Sequence, residues 1–310
     1  MTRHPGSLSM IVAMLISGTI GWFVLAAGVP VMTVVFWRCV IGAATLGVVC
    51  AALGQFRREW LDRRVVLLSV LSGVAIVFNW VLLFAAFPRA SIAISTAVYN
   101  VQPFLLVGLA ALFLGERLIW VKLSWLAVAF AGVVAIATAR QQAGATAPGS
   151  DYLGGIALAL GASFLYAVTA LLVKRLAGTP PQLVALIQLI TGALLLSAWT
   201  PWQHAPMAPS GWASLVTLGM VHTGLMYLLL YGAIQKLPTA ITGALSFVYP
   251  VAAIAVDWIA FGHRLAPVQW AGVAAILVAA AAMQRGWVPR WPGAASGQFK
   301  AFKPFKPFKR

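Results

Sequence analysis

Pro103 and Pro250 stand 147 residues apart, each inside a long apolar run and each followed by Gly-x-Arg-Leu. The first run reads VQPFLLVGLAALFLGERL (101–118) and the second VYPVAAIAVDWIAFGHRL (248–265). A proline within a helix cannot donate to the carbonyl four residues earlier. Here those carbonyls belong to Tyr99 and Ser246. A carbonyl freed at membrane depth is tolerated where it lines a cavity or meets a neighbour. Both prolines are therefore expected to mark hinges beside a solute site; a tolerated kink is the plainer alternative.

Polar and aromatic residues gather near these prolines in the sequence: Tyr99, Asn100, Gln102, Ser246 and Tyr249. Other apolar runs add Asn79 and Trp80, His222, Tyr227 and Tyr231, and Trp22, Ser163 and Tyr166. Such groups are costly against lipid and should face an interior. Together they suggest an amphipathic binding cavity suited to a small solute with an apolar side chain. Ordinary helix packing competes with that reading at each single aromatic.

Arg38 is a charge inside an apolar run, roughly 12 Å from the nearer end by helical rise. It has two readings: it attracts a solute carboxylate, or it pairs with Asp257, and the pair is the favoured one. Asp257 and His222 are the candidate proton carriers. The sequence contains no HExxH, no GxxxxGK[ST], no GxSxG and no paired intramembrane carboxylates. With five acids in 310 residues, little is left for acid–base or metal chemistry. No catalytic residue, metal or cofactor is assigned.

The elements that hold these residues follow from composition. The chain is 62% hydrophobic and 8% charged, with a mean hydropathy of +0.95. Soluble domains carry about a quarter charged residues, so this surface must face lipid. Runs of membrane-crossing length fall at 8–27, 30–53, 66–87, 91–113, 121–139, 153–173, 182–200, 211–233, 239–261 and 267–284. The first exceeds a signal-peptide core and reads as a retained span. The net charge of +16 is not a nucleic-acid footprint, because the basic residues fall in short loops and the tail. Seventeen lie on the side of the N-terminus and three (Arg89, Arg140, Arg264) on the other. The positive-inside rule then puts both termini in the cytoplasm.

Five spans separate GERL (115–118) from GHRL (262–265), so the second copy is inverted. At the same offset Leu82 and Leu83 match Leu229 and Leu230, while Ala93, Ile94 and Ala97 match Ala240, Ile241 and Ala244. The fold expected is an all-α integral membrane protein of ten transmembrane helices in two inverted five-helix repeats. The repeats occupy 1–140 and 153–285, joined by a periplasmic connector at 141–152 and followed by a basic tail at 286–310. Cys39 and Cys50, far apart on one helix, read as packing residues. The Phe-Lys-Pro repeats of the tail suit anionic lipid headgroups, or have no part in transport.

The ten spans in two halves, the FWR at 36–38 and the proline helix ending in GERL resemble the EamA-type transporters of the drug/metabolite transporter superfamily. That resemblance implies alternating-access movement of small organic solutes across the bacterial inner membrane, often export of amino acids and related metabolites. The chain is similar in these respects to the bacterial aromatic and general amino-acid exporters. His263 departs from the pattern, standing where the family usually has Glu. Competing readings are another solute class, such as a nucleotide sugar or an organic cation, or a membrane-embedded enzyme.

Overall fold

The computed structural model describes residues 6–102, 104–106, 108, 109, 120–142, 151–176, 178–200, 208–236, 245, 248–285 and 287. Among them every regular element is helical: α1 (Ser7–Ala26), α2 (Val31–Ala52), a 3-10 turn (Arg58–Trp60), α3 (Arg63–Ala90), α4 (Ile92–Tyr99), α5 (Trp120–Gln142), α6 (Tyr152–Lys174), α7 (Pro181–Ser197), α8 (Pro209–Gly219), a π-helical turn (Met220–Leu225), α9 (Met226–Lys236), α10 (Val248–Phe261) and α11 (Pro267–Arg285).

Among the described residues five helical stretches are long and apolar enough to cross a membrane: Ser7–Ala26, Val31–Ala52, Arg63–Ala90, Tyr152–Val173 and Pro209–Leu230. Shorter apolar helices lie at Ile92–Tyr99, Ala127–Ile136, Pro181–Ser197, Val248–Phe261 and Pro267–Ala279, at the other runs expected from the sequence. Their ends carry ordinary stop and start chemistry. Asp62 accepts the N–H of Arg64 at 3.3 Å to cap α3, and Asp151 accepts that of Gly154 at 3.0 Å to cap α6. Prolines open α7, α8 and α11, where a missing N–H costs nothing. Gly28 and Gly262, at φ 64° and 68°, end α1 and α10.

One boundary differs from expectation. The third helix runs past Phe87 through Pro88 and Arg89 to Ala90. The Arg89 guanidinium turns back to donate to the Ala85 carbonyl at 2.6 Å, which helps a helix end hold. Ser91 follows at φ 73° and ψ 161°, a region almost reserved for glycine.

The packing repeats between halves. α1 packs on α8, the π turn and α9, as α3 packs on α6. α1 also packs on α10, as α6 packs on α4. α2 meets α7, α4 meets α10 and α5 meets α11, each helix against its own counterpart in the other half. The α5–α11 crossing is close: a Cβ added at Gly132 or at Gly272 would stand 2.7 Å from the other's carbonyl oxygen. The largest buried cluster joins Phe36, Cys39 and Leu46 of α2 to Val77, Trp80 and Phe84 of α3 and to Leu186 and Leu189 of α7. Cys39 and Cys50 are both buried and free.

Candidate functional site

The fourth run does not continue as one regular helix. α4 stops at Tyr99, and Asn100 and Val101 form a turn in which the Val101 N–H reaches only to the Val98 carbonyl, at 3.1 Å. Asn100 spends its side-chain amide on the Thr96 carbonyl at 2.7 Å, so it mends its own helix end. Nearby, Gln102 Oε1 and Ser95 Oγ are buried with no hydrogen-bond partner among the described residues. Pro103 lies outside the described residues, as does Ser246. The described part of α10 begins at Val248, so Pro250, which is buried, sits in its first turn.

Around the break the side chains form a connected set. Asn79 of α3 donates to the Tyr99 hydroxyl at 3.2 Å and to the Ala162 carbonyl of α6 at 2.5 Å. The Tyr99 ring meets Tyr166 edge-on, centroids 5.9 Å apart. Tyr166 keeps 38% of its surface accessible. Tyr227 and Tyr249 are half-buried, and both lie within electrostatic reach of Tyr166. The structure thus brings together Asn79, Tyr99, Tyr166, Tyr227 and Tyr249, drawn from α3, α4, α6, α9 and α10. Tyr231 belongs to α9, but its side chain lies outside the described residues.

Arg38 is the charged member of this set. It is 2% exposed, and the phenols of Tyr227, Tyr99 and Tyr249 are within electrostatic reach. Its guanidinium lies 4.2 Å from the Trp80 ring centroid and 5.6 Å from that of Phe84. Its Nε donates to Thr223 Oγ1 at 3.2 Å. The expected pair with Asp257 is not made. Asp257 instead directs Oδ2 at the Ala93 N–H, 3.2 Å away, and Oδ1 at His263 Nδ1, 3.1 Å away. The acid is consumed by a helix N-terminus and a neighbouring imidazole, both nearer in space than Arg38. A desolvated cation–π contact is worth about 2 kcal/mol, and a hydrogen bond from a charged group about 2 kcal/mol. Burying one ion costs several kcal/mol, so Arg38 is only partly compensated.

His222 and Thr223 sit on the π-helical turn. Such widened turns are rare and frequent at functional sites. Thr223 Oγ1 donates to the Leu218 carbonyl at 2.9 Å, leaving its lone pairs for Arg38. His222 Nδ1 faces the Thr217 carbonyl at 3.2 Å and Nε2 faces Thr19 Oγ1 at 2.8 Å. The imidazole also meets Phe23 edge-on, centroids 4.9 Å apart. Trp22 is 43% exposed and meets Phe23 edge-on, centroids 4.7 Å apart, so it is Phe23 that reaches His222. In a helix that is apolar all round, adjacent aromatics give no sign of which one faces in.

A family model described as the EamA-like transporter family matches residues 4–138 and again 153–284. The chain belongs to the EamA-like transporter family. Among its relatives is a Bacillus subtilis protein described as "Uncharacterized transporter YxxF", 31% identical over 266 residues, covering 84% of each chain. A more distant one, from Streptantibioticus cattleyicolor, is described as "Probable terminal-alkyne amino-acid exporter", at 26% identity over 76% of this chain and 77% of that protein. A solved crystal structure superposes with a TM-score of 0.63 at 23% identity, over 95% of this chain and all of that one, a likeness of fold. The protein is thus a transporter of the EamA type, an integral membrane protein built of apolar helices.

Sequence reading of this EamA-like transporter missed Thr223, Thr19 and Phe23. The one available signal was the HTG at 222–224, two polar residues before a glycine in an otherwise apolar stretch.

Proposed function

We propose that the protein is a secondary transporter that exports small organic solutes, foremost amino acids and related metabolites, across the bacterial inner membrane by alternating access. The carrying observation is the cluster of Asn79, Tyr99, Tyr166, Tyr227 and Tyr249 about Arg38, drawn from helices of both halves and bordered by the break after Tyr99; we take it as the wall of a solute crevice. A solute there has phenols and an indole for its apolar part and Arg38, Asn79 and the orphaned Gln102 oxygen for its polar part. In this reading the two five-helix repeats (1–140 and 153–285) are inverted, the connector 141–152 is periplasmic, and both termini are cytoplasmic. Pro103 and Pro250 serve as hinges. The amino-acid class draws support from the function named for the Streptantibioticus relative and from the balance of aromatic and polar lining.

The test is counterflow in proteoliposomes holding the purified protein, with labelled Phe, Trp, Thr, Met and Ala, with and without a pH gradient. Saturable exchange of several amino acids, lost in Tyr166→Ala, is the expected result. Failure of every amino acid to exchange in folded protein overturns the substrate class.

A further inference from the structure

The geometry points to Arg38 and Thr223 as a carboxylate subsite, and to substrates defined by their carboxylate, with no charged recognition of an amine. This deepens the transporter reading above and rests on it. Arg38 is a fully buried cation with its Nε on Thr223 and its flat face on Trp80. Each of those contacts fixes the plane of the guanidinium without neutralising it. A guanidinium so held presents its remaining N–H groups as a preformed fork for two carboxylate oxygens. Thr223 is itself pinned, because its hydroxyl proton is committed to the Leu218 carbonyl. The π turn that exposes this carbonyl therefore also sets the position of Arg38.

The second half of the argument concerns the acids. Of the five in the chain, Glu59 and Asp62 lie at the 3-10 turn and the start of α3, and Asp151 caps α6. Asp257 is held by Ala93 and His263, and Glu116 is outside the described residues. Among the described residues, then, the cluster that would line the crevice holds a cation and no anion. A solute's ammonium would meet only neutral acceptors and aromatic faces there. Its carboxylate meets Arg38, while an aromatic or branched body lies against Tyr166, Tyr227 and Tyr249. Amine-free carboxylates such as 3-phenylpropionate, and N-acylated amino acids, should therefore bind as well as the parent amino acid.

The test is inhibition of labelled Phe counterflow, together with thermal stabilisation of the purified protein, using four probes: 3-phenylpropionate, N-acetyl-Phe, Phe methyl ester and phenethylamine. The expected result is that the two acids compete within about threefold of Phe, while the ester and the amine are at least about thirtyfold weaker, as loss of a charged hydrogen bond requires. Arg38→Gln should erase the gap between acid and ester, and Arg38→Lys should keep part of it. A merely structural Arg38 would lower activity without changing that ratio. Thr223→Val, which leaves Arg38 in place, should narrow the gap if Arg38→Gln does not fold. Equal competition by ester and acid, with Phe transported, overturns the subsite and leaves the transporter reading standing. Binding of the acids without transport of any amino acid supports the subsite and overturns the amino-acid class. Binding of phenethylamine alone overturns both.

Discussion

Asp257 Oδ2 accepts the backbone N–H of Ala93 at 3.2 Å, so a carboxylate of the second half caps the interrupted helix of the first. Ser91 Oγ takes the next donor along, the Ile94 N–H at 3.3 Å. The start of α4 is thus anchored twice, once from within and once from α10, directly after a backbone position at φ 73°. His263 Nδ1 holds the other oxygen of Asp257, so an imidazole steadies the capping acid.

Removing this cap should therefore loosen contact between α4 and α10. Asp257→Ala is expected to lower stability by about 2 kcal/mol, the sum of a lost N-cap and a lost charge at a helix N-terminus. Asp257→Asn, which keeps an acceptor, should cost about half as much. Thermal unfolding of the purified protein in detergent reads both. Wild-type stability in the alanine variant would mean that the cap contributes nothing.

Tyr99 and Asn100 are neighbours in sequence with opposite duties. The Tyr99 hydroxyl sits in the crevice set with Asn79, whereas the Asn100 amide is spent on Thr96. Tyr99→Phe should raise the half-saturation of exchange about fivefold, the worth of one neutral hydrogen bond, with little loss of stability. Asn100→Ala should do the reverse, costing about 1 kcal/mol of stability while exchange affinity stays within twofold. Matched counterflow and unfolding measurements on the two variants separate these outcomes, and an exchanged pattern would reject the assignment.

Gly132 and Gly272 let α5 and α11 approach until each backbone nearly touches the other. Gly132→Val would drive a side chain into a carbonyl with nowhere to retreat, and a loss above about 2 kcal/mol follows from overpacking alone. Gly47 of α2 provides the control, since a Cβ there meets nothing within 4 Å. Gly47→Ala should be neutral or stabilising by up to about 1 kcal/mol. Yield of monodisperse protein on size exclusion, followed by unfolding, would show whether the two glycines differ in this way.

The apolar helices and their internal repetition were legible because lipid leaves so little choice: a crossing segment must be apolar and must satisfy its own backbone. Facing direction was not legible for the same reason. α1 and α2 are apolar on all sides, so Trp22 and Phe23 carried equal claims, and only the packed bundle puts Phe23 against His222. Depth is readable from residue count, which is why Arg38 and Asp257 looked like partners; the angle around each helix axis is not, and it sends Asp257 to Ala93. Thr223 escaped notice because a threonine in a membrane helix ordinarily bonds back to its own turn. Here it does so and still offers Arg38 a lone pair, by virtue of a widened turn that no residue spacing announces.

The same turn fixes a proton balance at His222. A carbonyl only accepts, so Nδ1, which faces the Thr217 oxygen, carries a proton. The Thr19 hydroxyl has one proton and two claimants, the Ile16 carbonyl at 2.8 Å and His222 Nε2 at 2.8 Å. With a neutral ring the hydroxyl turns to Nε2; with a cationic ring Nε2 donates and the hydroxyl stays on Ile16. In either state the half-buried Thr19 is the partner of that nitrogen of buried His222, tying α1 to the π turn. Thr19→Val should cost about 1–3 kcal/mol, the penalty of an orphaned buried polar atom. His222→Phe, able to keep the edge contact with Phe23, should remove the need for Thr19, so that adding Thr19→Val to it costs little. A double-mutant cycle by thermal unfolding should therefore give a coupling of about 1 kcal/mol or more. Simple additivity of the two substitutions would mean that the bond carries no weight in the folded protein.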